Sequence, residues 1–365
     1  LFLNNSVFHG GVERQIHYTK RELEKRGWRA FFIYFNPHNR ENVSGAEYRY
    51  LPWRRYFSKS PRKFFALLPF LLRVLRFVRQ ERITVIHTYG PYENLVAALV
   101  ARLSAARHIA SVRTNRRWAF RFIRLWGPLS RIVLTNAEEI RKTLHTEYRL
   151  PERKLAVLRN GIDIDRFPFM EKGELDAAQL TIGLIGRIST SKNQLSFLEA
   201  FYRWHRRRQP SFDFSFLLLG TLEDREYYER LLRWVEEHGL EEKISIVPWS
   251  KDVLSYYRQM DLIALPSISE GLPNVLLEAM ALGIPWTASD VADVGHLARL
   301  CGYEDFLFDP YSEASMQEAL ERLFSHPFEE LKHKIVQGRR AAERDFSLEA
   351  LGRRTEELYI RAAKR

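Results

Sequence analysis

Cysteine is almost missing from this chain: Cys301 is the single one in 365 residues. One thiol excludes an internal disulfide framework and a cysteine-only metal site, and it fits a reducing compartment. No apolar run approaches the ~20 residues that a membrane-crossing helix needs, so no transmembrane helix is expected. The opening LFLNNSVFHGG lacks a basic leading segment, a long apolar stretch and a small-residue cleavage site, so no signal peptide is read there. The missing initiator Met points to a trimmed start. There is no internal repeat and no low-complexity tract. No paired-Asp motif or His cluster argues for a metal, so none is expected. Acids are missing locally as well, from residues 48–80 and again from 94–137.

What is present is ample material for cores. Hydrophobic residues make up 45%, with 24 Phe, 16 Tyr and 8 Trp, which excludes a mainly disordered chain. The length fits two domains of about 150–200 residues. The net charge of +12 is unevenly placed. Residues 1–169 hold 32 Lys+Arg against 13 Asp+Glu (+19), and the rest holds 25 against 32 (−7). Such asymmetry reports a partner rather than a fold: a phosphate-rich substrate, an anionic membrane face or nucleic acid.

The chain is organised around Ser267–Asp290, SISEGLPNVLLEAMALGIPWTASD. The apolar run DLIALPS leads into a Gly-Pro loop, a short apolar helix and a second short run, which is the order of an α/β crossover. Glu270 falls in the loop and Glu278 within the helix. A loop acid at the carboxyl end of a strand lies where open α/β sheets bind ligands. An acid inside the apolar pattern VLLEAMAL needs a partner, either a ligand or the loop amides that it would brace.

Strand and helix patterns alternate along the rest of the chain. LFLNN reads as a strand. Gly10 and Gly11 then feed a helix whose first amides suit an anion, or simply make a turn. RAFFIYF is the next strand. Trp53–Gln80 carries eight Lys/Arg among Phe, Leu and Trp. From about Pro69 it reads as a helix with Arg73, Arg76 and Arg79 near one side, suited to a membrane surface or to snorkelling over the sheet. RITVIHTYG is a strand ending near His87 and Tyr89. HIASVRT is followed by a patch of Arg113, Arg116, Arg117, Arg121 and Arg124 interleaved with aromatics. The patch suits a charged lipid, a pyrophosphate or nucleic acid, but no nucleic-acid motif accompanies it. Asn136 is placed to cap a helix. KLAVLRNGIDIDRF is a strand ending in an Asn-Gly turn.

Polar Pro168–Gln179 reads as the linker, dividing a first domain (1–169) from a second (170–340). A closing helical segment (341–365) is expected to pack back on the first domain, with a break around Asp345–Ser347. In the second domain TIGLIGRIS ends at Gly186 and Arg187, and Lys192 precedes a helix. A basic pair at a strand end beside a helix start is a reasonable phosphate clamp.

Taken together, the early Gly-Gly-Val-Glu, RNGIDIDRF, GLIGRISTSKNQ and SEGLPNVLLEAMALGIP, in this order and over nearly the whole chain, resemble the retaining glycosyltransferases of family 4. The resemblance implies an α/β GT-B architecture, two Rossmann-like doubly wound domains facing across a cleft. It implies a nucleotide-sugar donor, commonly a UDP-sugar, held mainly by the second domain without a metal or other cofactor. Arg187 and Lys192 would bind the diphosphate, with Gly186 beside them. Gly10 and Gly11 would approach the phosphate or the sugar. Glu270 would contact the sugar and Glu278 the ribose. The backbone around Gly271, Leu272, Pro273 and Asn274 would cradle both. Attack is described for the family as same-face, with the donor phosphate helping to deprotonate the acceptor.

One departure stands out. Many relatives place a His at the end of the strand that here reads HIASVRTNRR. His108 lies too early, so Arg113 or Asn115 stands in that place, and His87 is a second candidate. The basic, aromatic first domain favours a polyprenyl-linked or polysaccharide acceptor at the inner face of a membrane, in polysaccharide or lipopolysaccharide assembly. A soluble enzyme with a basic face, another GT-B enzyme such as a nucleotide-sugar epimerase, a nucleic-acid-binding α/β protein and an inactive relative remain open alternatives.

Overall fold

The structure is a computed structural model that describes residues 1–4, 11–35, 47–51, 67–114, 120, 122–175, 178–248, 250 and 252–364. The chain forms two compact units. The first comprises Leu1–Gly161 and Leu348–Arg365, and the second Ile162–Ser347.

In the first unit, strands β1 (Phe2–Asn4), β2 (Phe32–Tyr34), β3 (Tyr48–Tyr50), β4 (Val85–Thr88), β5 (Arg107–Val112), β6 (Ile132–Thr135) and β7 (Leu155–Val157) make one sheet, in the order β3-β2-β1-β4-β5-β6-β7. Every pairing in it is parallel. Its helices are α1 (Gly11–Lys25), α2 (Leu67–Gln80), α3 (Pro91–Arg102), α4 (Ile123–Trp126) and α5 (Glu138–Thr146). Helices cover both faces of such a sheet. Its strands are therefore short continuous apolar runs, VIHT or IVLT, rather than alternating ones.

The second unit repeats the plan. Strands β8 (Gln179–Ile185), β9 (Asp213–Leu219), β10 (Ile244–Val247), β11 (Leu262–Leu265), β12 (Trp286–Ser289) and β13 (Leu307–Phe308) run in the order β10-β9-β8-β11-β12-β13, all parallel. Helices α6 (Gln194–Arg208), α7 (Arg225–Glu237), α8 (Val253–Tyr257), α9 (Asn274–Leu282), α10 (Val294–Cys301), α11 (Glu313–Phe324) and α12 (Phe328–Phe346) surround them. Trp204, Tyr257, Trp286 and Phe201 are all but fully buried in its core.

The last helix, α13 (Leu348–Ala363), returns to the first unit. Leu348, Leu351, Tyr359 and Ala362 join the core beneath α1 and the sheet. Gly352 permits the close approach, since a Cβ there would meet Glu22 Cβ at 2.8 Å. Trp28 Nε1 donates to Glu356 Oε1 (2.9 Å) and Arg26 Nη2 to the Glu349 carbonyl (3.1 Å). His87 of β4 is pinned to this helix: its Nδ1 lies 2.6 Å from Tyr359 Oη and its Nε2 2.7 Å from Ser111 Oγ.

Several expectations meet the coordinates differently. The units divide at 161/162 and 347/348, where the sequence pointed to a linker at 168–179 and a last segment from 341. The reason is packing: Ile162, Phe167 and Leu175 bury in the second unit's core, and the Met170 amide donates to Leu282 (2.8 Å). The helix break falls at Ser347, within the expected stretch. Asn136 does not cap α5. Ala137 takes that position, and Asn136 Oδ1 is buried with no partner. Strand β3 was hidden because YRY alternates a basic residue with aromatics inside a segment whose charge draws attention first. On α2, Leu68, Leu72, Arg73, Arg76 and Arg79 are exposed while Phe70, Val74 and Val78 face the core.

Two buried histidines give stability a pH dependence. Burial pushes the His108 imidazole down to about 3, between Thr88 Oγ1 (2.7 Å) and Ser130 Oγ (2.9 Å). Burial, aided by the charge of Arg113, holds His87 well below the usual histidine range. Unfolded, both titrate near pH ~6.5. The unfolded chain therefore takes up protons first. The stabilisation is complete above about pH 6.5 and is lost as the pH falls below it. Urea unfolding should show a loss of about 2 kcal/mol from His108 alone between about pH 6.5 and 5. His108→Gln should flatten that slope, and equal midpoints at both pH values would contradict this assignment.

Candidate functional site

In a parallel sheet the connections from neighbouring strands leave a crevice where the strand order reverses, at the carboxyl ends. In the second unit the reversal lies between β8 and β11. The segment after β8 carries Gly186, Arg187 and Lys192, and the segment after β11 carries Glu270 to Asn274. The structure joins them across the reversal. Lys192 Nζ donates to Glu270 Oε1 at 2.5 Å, with side chains only 18% and 13% exposed. The Ile268 amide donates to the Ser191 carbonyl (3.0 Å).

The loop under Lys192 is tightly specified. The Gly186 amide donates to Leu219 (2.9 Å) with φ at +154°, a backbone setting that favours glycine. Gly220 lies directly against it, and a Cβ at Gly220 would overlap the Gly186 carbonyl. Gln194 Nε2 donates to the Arg187 carbonyl (2.9 Å), and Asn193, at φ +56°, donates from Nδ2 to Pro310 (2.9 Å). These contacts fix where the Lys192 stem leaves the backbone. Arg187 itself is half-exposed and ion-paired with Glu223.

Glu278 sits one helical turn beyond Asn274 on α9 and is buried. Its Oε2 accepts from Tyr257 Oη at 2.5 Å, a partner at the end of α8 that no sequence pattern announces. Tyr257 is held in turn by an edge-on contact with Phe167. Gly271, Leu272 and Pro273 are buried, and Asn274 opens α9 with Pro273 as its N-cap. The ensemble presents cations, loop amides and a buried carboxylate at one strand edge, a set suited to a phosphorylated, hydroxyl-bearing ligand.

The first unit has its own cluster at the carboxyl edge. Arg113 follows β5, donates from Nη1 to Asn160 Oδ1 (2.5 Å), and lies 5.3 Å from the Tyr89 ring centroid. Its Nε is buried without a partner. Among the described residues no acid pairs with it, and burial pulls its pKa below the usual arginine value. Gln15 of α1 clasps the turn beyond Asn160, donating to the Gly161 carbonyl (2.7 Å) and accepting from its amide (2.8 Å). Gly11 is exposed as the first residue of α1. Gly10 and Asn115 lie outside the described residues. His87 is not offered to a ligand, because both ring nitrogens are engaged by Tyr359 and Ser111. That role could not be read from sequence, since Tyr359 lies far along the chain. Among the described residues no group of three or more His, Cys, Asp or Glu gathers where it could hold a metal ion.

Known families match the chain along most of its length. The model described as Glycosyltransferase Family 4 matches residues 9–166, and the model described as Glycosyl transferases group 1 matches 179–326. An Escherichia coli UDP-Gal:alpha-D-GlcNAc-diphosphoundecaprenol alpha-1,3-galactosyltransferase is 22% identical over 297 residues, covering 73% of this chain and 74% of the relative. Among solved structures, a glycosyltransferase from Rickettsia africae superposes with a TM-score of 0.81 at 19% identity, over 100% of this chain and 98% of that one. HepE from Anabaena, crystallised with UDP, gives 0.81 at 15% identity over 99% of each.

The tightness of the Gly186–Gly220 approach is testable without any ligand. Gly220→Ala should lower unfolding stability by about 1–3 kcal/mol, since the methyl must displace backbone. Gly173→Ala, where a Cβ meets nothing within 4 Å, should be nearly silent. Equal urea midpoints for the two variants would refute the close approach.

Proposed function

We propose that this chain, a glycosyltransferase of the GT-B fold related to the group 1 and family 4 enzymes, moves a sugar from a UDP-sugar to a glycan or lipid-linked glycan with retention of configuration. The observation that carries the reading is the Lys192–Glu270 contact across the strand reversal of the second unit. It sets a cation beside a carboxylate, the pairing needed where a diphosphate meets a sugar ring. The crystallised complex of HepE with UDP supports uridine as the nucleoside. The acceptor named for the Escherichia coli relative supports a diphosphate-linked lipid.

In this reading Arg187 and Lys192 neutralise the charge that grows on the departing UDP, which lowers the barrier most when the cations are fixed beforehand. Lys192 is fixed by its loop. Arg187 exchanges Glu223 for a phosphate oxygen, a small loss because exposed ion pairs are worth about 0–1 kcal/mol. Glu270 takes sugar hydroxyls and Glu278, oriented by Tyr257, takes the ribose. Gly10, Gly11, Gly186 and the backbone from Gly271 to Asn274 line the phosphate and sugar. The bond from the anomeric carbon to the diphosphate oxygen breaks, and the acceptor oxygen bonds to the same face of that carbon. The acceptor proton passes to the leaving phosphate oxygen. No step calls on a metal. Arg113, in the place where relatives carry a histidine, meets an anionic or hydroxyl group of the sugar or acceptor, with Asn115 as its neighbour in sequence. The exposed leucines and arginines of α2 rest on an anionic membrane surface at its cytoplasmic face.

UDP should raise the melting temperature in the presence of EDTA, and Lys192→Ala and Glu278→Ala should each abolish the shift. Persistence of the shift in both variants would remove the donor site from this place. Arg113→Ala should lower kcat/KM by at least about tenfold while leaving the UDP shift intact, the pattern of a group acting on sugar or acceptor rather than nucleotide. A wild-type kcat/KM would exclude Arg113 from the reaction.

A further inference from the structure

At the opposite, amino-terminal edge of the first sheet lies a cavity of about 450 Å³ that the reaction above does not use. It opens where α3 ends and where β5, β6 and β7 begin, with α13 along one side. Six cations line it: Arg102, Arg107, Arg131, Arg153, Lys154 and Arg361. Among the described residues no acid lines it and none of the six takes part in an ion pair. The nearest acid in sequence, Glu152, is turned away and accepts from Arg141 Nη1 at 2.8 Å, while Glu138 also serves Arg141. The arrangement is held by backbone. Lys154 Nζ donates to the carbonyls of Pro128 and Ser130, Arg131 Nη2 to that of Lys364 (2.9 Å), and Arg361 Nη2 to that of Arg153 (3.1 Å). These bonds aim the side chains without neutralising them. The Lys154 ammonium is pushed below its usual value by burial and by the charges of Arg153 and Arg131, a sign that the cations feel one another.

Like charges gathered in one concavity repel, and a fold that only needed solubility would intersperse acids. A single monovalent anion would leave most of the charge uncompensated. The cavity volume falls in the range of small-ligand sites. Among the described residues no Phe, Tyr or Trp lines it, and the His108 ring is buried between Thr88 and Ser130, which removes the stacking platform that single-stranded nucleic acid uses. Leu129 at its rim is 44% exposed, and Leu103 and Leu125 of the same unit are exposed as well. We propose that this cavity is a second anion site, separate from the donor site, which binds a ligand bearing two or more phosphoryl groups. Two sources carry that chemistry: a lipid headgroup with two phosphates and a free oligophosphate.

The test uses the full chain and two probes, inorganic tripolyphosphate in calorimetry and sedimentation with phosphatidylcholine vesicles containing or lacking cardiolipin, whose headgroup carries two phosphates. Arg107→Glu combined with Arg153→Glu changes two exposed side chains and should weaken binding of the probe that the site recognises by at least about tenfold. The paired Lys replacements should retain it, and the UDP melting shift should stay unchanged, so that failure here is distinct from failure of the donor reading. Loss of vesicle sedimentation in the Glu variant assigns the headgroup. Loss of tripolyphosphate binding without any sedimentation assigns the free anion. Both probes behaving as in the wild type would overturn the proposal. So would tripolyphosphate binding that vanishes in Lys192→Ala and survives in the Glu variant, or an RNA oligomer that binds through Arg107 and Arg153 more tightly than tripolyphosphate.

Discussion

The contact between Lys192 and Glu270 is where the second unit's topology becomes chemistry. A parallel sheet that grew in one direction only would send successive loops over the same face, and the loops after β8 and β11 would not meet over an open crevice. Because the order reverses between these two strands, the loops approach across the gap, and each supplies one charge. The surrounding details serve that meeting. Gly186 and Gly220 let two strand ends touch, Asn193 accepts a left-handed turn, and Tyr257 reaches Glu278. A Cβ at Gly186 would press on the Lys192 stem, 3.3 Å from its Cε, and so bear directly on where the ammonium sits.

The two units solve the same folding problem with opposite electrostatics. In the second, cations of the site are matched by carboxylates, Arg187 by Glu223 and Lys192 by Glu270. In the first, Arg113 rests on an amide and a phenol ring, and the arginines at the far edge of the sheet rest on carbonyls. Neutral partners orient a guanidinium and leave its charge available. The charge asymmetry of +19 over residues 1–169 against −7 over the rest runs in the same direction as this difference in partners.

Much of this was legible from the chain alone. Apolar runs alternating with amphipathic stretches give parallel α/β units, because a strand covered on both faces has no polar side to show. The spacing of Gly186, Arg187 and Lys192 after one strand, and of Glu270 and Glu278 around the next loop, marks the segments that the reversal brings together. What stayed hidden depends on long-range packing. The partner of Glu278, the occupation of His87 by Tyr359 and Ser111, and the idle Asn136 are settled by residues that approach only in the folded unit. The unit boundaries were hidden for a related reason. Residues 168–179 are polar enough to resemble a linker, yet Phe167 just before them and Leu175 within them are buried in the second core.

The return of α13 to the first unit sets an order on biosynthesis. During translation the second unit's chain can emerge and pack while the first still lacks the helix that covers α1 and holds His87. The first unit is begun before the second but closed after it, and the apolar seam along Ile16 and Leu23 stays uncovered until Leu348, Leu351 and Tyr359 have left the ribosome.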